Sequence, residues 1–113
     1  MTEIIISDFD NLYFANILNA LITAGYFKAG HSKDNAYEVC RIIGNPALEM
    51  ILGSVKRGSC IVPHYWNLYE GIHFDVTALV TDEPIWSYRM KERFGIAQVH
   101  YAADLDVQII KNQ

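Results

Sequence analysis

Apolar residues recur at helical spacing in the first quarter of the chain. They follow a capping-box pattern in which Ser7 precedes Asp10 by three positions. The apolar positions that repeat every three or four residues are Phe9, Leu12, Tyr13, Ile17, Ala20, Leu21 and Ala24. This pattern predicts a first helix over residues 8–26.

The next polar run, residues 31–35, is typical of a loop that ends in a helix cap. Asp34 or Asn35 is the predicted cap of a second helix, and Gly44 is its predicted end. Asparagine followed by proline at 45–46 repeats the start signal, so a further short helix is predicted over residues 47–52.

Residues 55–80 change character, because β-branched and aromatic side chains dominate there. Glu70 and Gly71 separate two extended runs and predict a β-hairpin. Pro84 then predicts a helix that carries Trp86, Met90 and Phe94 and ends at Gly95. The tail predicts two more strands, over residues 96–101 and 105–110.

This order of elements predicts an α+β fold in which N-terminal helices pack on an antiparallel sheet. The 113 residues fall within the usual size of one domain, so we expect a single domain over residues 1–113. No repeat or linker divides the pattern.

Charge and composition exclude several classes of protein. The chain has 13 acidic and 9 basic residues and a net charge of −4, so no broad positive surface is available for nucleic acid. The first residues lack a secretion signal, and no apolar run is long enough for a membrane span. We therefore expect a cytoplasmic protein whose two cysteines, Cys40 and Cys60, are reduced thiols.

The predicted hairpin brings two chemically active side chains together. If Tyr69 faces Ile72 across the turn, alternation places His64 and Asp75 on one face as diagonal neighbours. A carboxylate beside an imidazole fixes the tautomer of the ring and stabilises its protonated form, as a catalytic base requires. Cys40, on the preceding helix, is the candidate nucleophile that such a base would activate.

These residues resemble the small bacterial YunG-type proteins and, more remotely, the transglutaminase-like and papain-like cysteine hydrolases. The resemblance covers residues 35–77 and is carried mainly by HYWN at 64–67 and GIHFDVT at 71–77. It implies a papain-like core in which a helix bearing the nucleophile precedes the strands bearing histidine and aspartate. It also implies that Cys40 is the nucleophile, His64 the general base and Asp75 its orienter, in a hydrolase or acyltransferase acting on an amide or thioester.

Each candidate has an alternative interpretation. Cys40 is equally consistent with a small buried side chain. Trp66 is either a core residue or a substrate-binding side chain that shields the base from water. If the helix start at residues 45–47 corresponds to the start of the nucleophile helix, no cysteine stands there and the chain is a non-catalytic binding or inhibitor module.

No metal or other cofactor is predicted. At strand spacing His73 lies roughly 13 Å from the position facing His64, too far for a shared ion. His73, His31 and His100 are therefore assigned to ordinary strand or surface positions. The expected partner is a protein or peptide, and the sequence does not indicate an oligomeric state.

Overall fold

The computed structural model describes residues 3–81 and 86–95. Within them the chain forms five strands and three helices. In chain order these are β1 (Glu3–Ile4), α1 (Ala15–Thr23), α2 (Ser32–Ile43), β2 (Leu48–Arg57), β3 (Cys60–Tyr69), β4 (Ile72–Phe74), α3 (Val76–Leu79) and β5 (Ser87–Gly95).

The strands form one antiparallel sheet with the order β1-β5-β2-β3-β4. Just after β1, Ile6 makes a parallel bridge to His73 of β4, and the Ser7 amide donates to the His73 carbonyl over 2.8 Å. The two edges of the sheet therefore meet, and the sheet curls into a nearly closed barrel. The predicted α+β class is confirmed.

The first two helices are present with changed boundaries. α1 begins at Ala15, later than predicted, because residues 10–14 form turns before it. α2 begins at Ser32, earlier than either predicted cap, and ends at Gly44, whose left-handed φ of 67° confirms the predicted end.

The short helix predicted over residues 47–52 is wrong, because this segment is part of strand β2. The Asn45 side chain does accept a hydrogen bond from the Ala47 amide over 2.8 Å, but it closes a turn instead of starting a helix. β2 pairs with β3 on one side and β5 on the other. Its buried run lacks strict alternation, which is typical of a central strand covered on both faces.

The helix predicted after Pro84 is also wrong over residues 87–95, which form strand β5. A spacing of four residues between Trp86, Met90 and Phe94 fits a helix and a strand equally well, since four is also a multiple of two. Pairing with β2 shifts register between Leu52 and Gly53, at a β-bulge. Because the bulge inserts one residue, Phe94 faces the opposite side of the sheet from Met90.

The hairpin at Glu70 and Gly71 is confirmed, with φ values of 48° and 83° at these residues. Tyr69 pairs with Ile72, as predicted. The second strand is shorter than predicted, because β4 ends at Phe74 and the chain enters α3. The predicted tail strands and His100 lie outside the described residues.

The two faces of the sheet carry separate hydrophobic clusters. The helices cover the first face, where Phe14, Leu18, Val39, Cys40, Met50 and Phe74 are buried together. The second face forms the inside of the curl, where Ile51, Val55, Trp66, Leu68, Trp86 and Tyr88 are buried. None of the helices in the described part of the chain is long and apolar enough to cross a membrane.

Candidate functional site

His64 and Asp75 form a buried pair on the inner face of the curled sheet. His64 belongs to β3, and Asp75 follows β4 directly in an extended conformation, as the N-cap of α3. The His64 Nε2 atom lies 2.7 Å from Asp75 Oδ2, and the two side chains are 7% and 1% exposed. The structure thus brings together the two residues that strand alternation placed side by side.

Three donors hold the Asp75 carboxylate in place. Besides His64, the Tyr88 hydroxyl donates to Oδ2 over 2.6 Å, and the Thr77 amide donates to Oδ1 over 3.0 Å. Burial, and then the nearby Asp75 carboxylate, raise the pKa of Tyr88, so its hydroxyl remains a donor. The sequence does not point to Tyr88, because the pattern after Pro84 predicts a helix where the structure has strand β5.

The hydrogen bond to Asp75 selects the tautomer of His64. A carboxylate accepts hydrogen bonds, so the Nε2 atom must carry a proton, and Nδ1 holds the lone pair of the neutral ring. Within ranges 3–81 and 86–95 the His64 ring makes its side-chain hydrogen bond through Nε2, and Nδ1 is not among the buried atoms left without a partner. The ring nitrogen that can act as a base is therefore Nδ1.

His64 lines a pocket of about 380 Å³, which we call the His64 pocket. This volume suits a small ligand or a single side chain. Its lining residues are Ala29, Gly30, Ser32, Arg57, Val62, Pro63, His64, Thr77, Thr81 and Trp86. Within this lining the Arg57 guanidinium lies 5.1 Å from the centre of the Trp86 ring.

Cys40 lies on the other side of the sheet from His64. Its side chain is fully buried in the helix-covered cluster, and its Sγ accepts a hydrogen bond from Asn67 Nδ2 over 3.4 Å. Asn67 stands three positions after His64 on β3, so the two side chains point to opposite faces. Burial is the main reason that the pKa of the Cys40 thiol is raised to about 12. The structure does not bring this thiol to the dyad, and Cys60 is exposed at the turn between β2 and β3.

Trp66 packs beneath the site. It is 1% exposed, and its indole Nε1 donates to His73 Nδ1 over 3.0 Å. Its ring meets Tyr88 edge to face at a centroid distance of 5.2 Å. These contacts make Trp66 a core residue, and the tryptophan that lines the His64 pocket is Trp86.

The remaining histidines do not form a metal site with these residues. Burial, and then the positive charge of Arg93, lower the pKa of His73, which favours the neutral ring that accepts from Trp66. His31 is exposed and lies 3.8 Å from Asp34. Across the two described ranges, no three His, Cys, Asp or Glu side chains converge so that they could hold a metal ion.

Ser32 is a pocket residue that sequence reasoning did not single out. It is the first residue of α2, and its Oγ accepts a hydrogen bond from the Tyr65 amide over 3.1 Å. The polar run over residues 31–35 predicts a loop that ends in a cap at Asp34 or Asn35, which places the helix start after Ser32. Ser32 follows Gly30 closely and precedes an amphipathic run, which is a signal for a helix that begins before Asp34.

Comparison of this chain with family models, with curated proteins and with solved structures finds no match.

Proposed function

We propose that this protein is a small hydrolase or acyltransferase that acts on an amide or thioester of a protein or peptide. His64 is the general base, and Asp75 is the residue that positions it. The observation that carries the proposal is the buried pair itself, whose Nε2 to Oδ2 distance is 2.7 Å beside a pocket. A base held in one tautomer, in a ring that lines a cavity, is suited to accept a proton from a nucleophile.

The resemblance to the YunG-type and papain-like proteins forms part of the same proposal. What supports it is the order of the parts, with helix α2 first, His64 on β3 next and Asp75 immediately after β4. In this arrangement the carboxylate engages Nε2 and leaves Nδ1 for the reacting group. The proposed reaction does not use Cys40, because a fully buried thiol on the other face of the sheet cannot meet His64.

The test is a hydrolysis assay with a chromogenic acetyl ester and an acetyl thioester. We expect His64→Gln to lower the rate by about 100-fold to 10,000-fold, the range that general-base catalysis supplies. His73→Gln is the matched control, because His73 is a half-buried strand histidine whose ring does not line the pocket. Equal rates for the His64 variant and the wild-type protein would refute the proposal, as would the absence of any activity in the wild-type protein.

A second candidate function is a non-catalytic binding module for a protein or peptide. It is favoured by the positions of both cysteines, since neither one lines the His64 pocket. In that case the His64 and Asp75 pair serves to hold α3 against β3, and the pocket with Arg57 and Trp86 receives a side chain of the partner. A binding module would retain its partner after His64→Gln, provided that the variant stays folded.

A further inference from the structure

The hydroxyl of Ser32 is held against the strand that carries His64. Its Oγ lies 3.1 Å from the amide nitrogen of Tyr65, the residue that follows His64. Ser32 is partly exposed and lines the same pocket as His64. β4 ends at Phe74, which pairs with Asn67, so the edge of β3 beside Tyr65 lies beyond the end of β4.

We infer that Ser32 is the nucleophile of acyl transfer in the His64 pocket, in a triad with His64 as base and Asp75 as positioning residue. The inference rests on the proposed function and supplies the reacting atom that neither cysteine provides. Asp75 occupies the Nε2 atom of His64. Nδ1 is therefore the nitrogen available to receive the proton of a hydroxyl in this pocket.

The start of α2 supplies a second element of such a site. The Asn35 amide donates to the His31 carbonyl over 2.9 Å, at the beginning of the helical hydrogen-bond pattern. The amides of residues 32–34 precede that bond and have no helical acceptor. Unpaired amides at a helix start stabilise negative charge, and α2 has 12 residues, so its dipole is developed. Of residues 32–34 only Ser32 lines the His64 pocket, so its own amide is the donor of this helix start that would serve a carbonyl oxygen attacked by Ser32.

The reaction is balanced with the protein's own groups and water. Ser32 Oγ bonds to the carbonyl carbon, its proton passes to His64 Nδ1, and the carbonyl electron pair moves onto oxygen. The tetrahedral intermediate expels the amine or thiol, which takes the proton from Nδ1, and an ester on Ser32 remains. Water then attacks this ester, gives a proton to Nδ1 and releases the acid, and that proton returns to Ser32.

A fluorophosphonate probe tests the inference directly, because it reacts with activated serine hydroxyls and releases fluoride. We expect mass spectrometry to find the label on Ser32, and we expect labelling to fall about 100-fold or more in His64→Gln. Ser59→Ala is the matched control, since Ser59 is exposed in the turn after β2 and does not line the pocket. Its labelling should equal that of the wild-type protein.

Substitution of Ser32 tests the assignment of the nucleophile separately from the roles proposed for His64 and Asp75. We expect Ser32→Ala to lower hydrolysis of the acetyl ester by about 1,000-fold or more. If hydrolysis depends on His64 but survives Ser32→Ala, the inference is overturned and the proposed function stands. If the wild-type protein shows neither labelling nor hydrolysis, both fail.

Ser32→Cys keeps the result decisive if loss of the hydroxyl unfolds the protein. A thiol at this position should react with iodoacetamide near pH 7 at least about 10-fold faster than exposed Cys60, because the nearby imidazole promotes the thiolate. The same rate at both cysteines would overturn the inference. Thermal unfolding of each variant shows whether the fold is retained.

Discussion

The Asp75→Asn substitution tests the arrangement on which the proposed chemistry depends. The shape of the side chain is conserved, but one carboxylate oxygen becomes an NH2 group. If the remaining oxygen continues to accept from the Thr77 amide, the NH2 group faces the Nε2 atom of His64 and the hydroxyl of Tyr88. Both of these groups donate to Asp75 in the native protein, at 2.7 Å and 2.6 Å.

The new NH2 group, the Nε2–H group of His64 and the Tyr88 hydroxyl are all hydrogen-bond donors. None of them can pair with another unless one group rearranges to accept. A hydrogen bond to a charged group contributes about 1.5–3 kcal/mol, so the loss of two such bonds is an upper limit of about 3–6 kcal/mol. The Tyr88 hydroxyl can rotate to accept, and His64 can move its proton from Nε2 to Nδ1. After this partial recovery we expect the free energy of unfolding to fall by about 2–4 kcal/mol.

The change of tautomer is the consequence that matters for function. With its proton on Nδ1, His64 can no longer accept a proton from a nucleophile in the pocket. We therefore expect hydrolysis to fall on the order of 1,000-fold to 10,000-fold, more than the loss of stability explains for a variant that remains folded.

Long-range proton–nitrogen NMR spectra of the histidine rings measure the tautomer. In the neutral wild-type ring we expect the proton on Nε2 of His64, and in Asp75→Asn on Nδ1. His73 is the internal control, because its Nδ1 accepts from Trp66 in both proteins. An unchanged His64 spectrum together with unchanged stability would show that Asp75 does not determine the state of the ring.

Four further predictions concern three buried positions, Cys40, Gly53 and Leu18. In the folded protein iodoacetamide should modify Cys60 and not Cys40, as checked by mass spectrometry of peptides; early modification of Cys40 would contradict its burial. Because the pKa of Cys40 rises from 9.0 to about 12 on folding, its contribution to stability is complete below pH 9.0 and is lost toward pH 12. Chemical unfolding of the wild-type protein and Cys40→Ala should therefore show a difference that changes only over that pH interval. Gly53→Ala should lower the free energy of unfolding by about 3 kcal/mol or more. The reason is that the new Cβ overlaps a main-chain oxygen of β5 and lies 2.6 Å from the Trp66 ring. If urea unfolding gives the variant the stability of the wild-type protein, β5 can move away from the new side chain and the prediction is wrong. Leu18→Ala should cost about 2–5 kcal/mol, because Leu18 is 0% exposed; a cost below that of Leu21→Ala, at a partly buried position of the same helix, would contradict the assigned core face.

Local chemistry was enough to predict the β3–β4 hairpin. Glu70 and Gly71 fit a turn that needs positive φ at both central positions, and this turn fixes the register. Once Tyr69 is paired with Ile72, alternation alone brings His64 next to Asp75. The contact between these residues was therefore accessible to sequence reasoning, although β4 ends before Asp75.

Long-range pairing determined the parts that the sequence did not reveal. The Asn45 side chain accepts from the Ala47 amide, as a helix cap would. The segment that follows is nevertheless a strand, because β2 gains hydrogen bonds from β3 and β5. β5 in turn delivers Tyr88 to Asp75, across a separation of 13 residues. Neither pairing can be read from a window that contains only one of the strands.

The buried polar contacts around the pocket connect α2 to the His64 and Asp75 pair. Asn35 Nδ2 donates to Thr77 Oγ1 over 2.8 Å, and the Thr77 amide donates to Asp75. A purely structural network would show the same contacts, so they do not distinguish an enzyme from a binding module. The remaining nitrogen of His64 does not distinguish them either, because Nδ1 is not among the buried atoms left without a partner, which in the described part of the chain are Asn67 Oδ1 and Trp86 Nε1. What distinguishes them is reactivity: His64 and Ser32 line the same pocket, and only an enzyme requires a proton to pass between them, so labelling of Ser32 that depends on His64 separates the two functions.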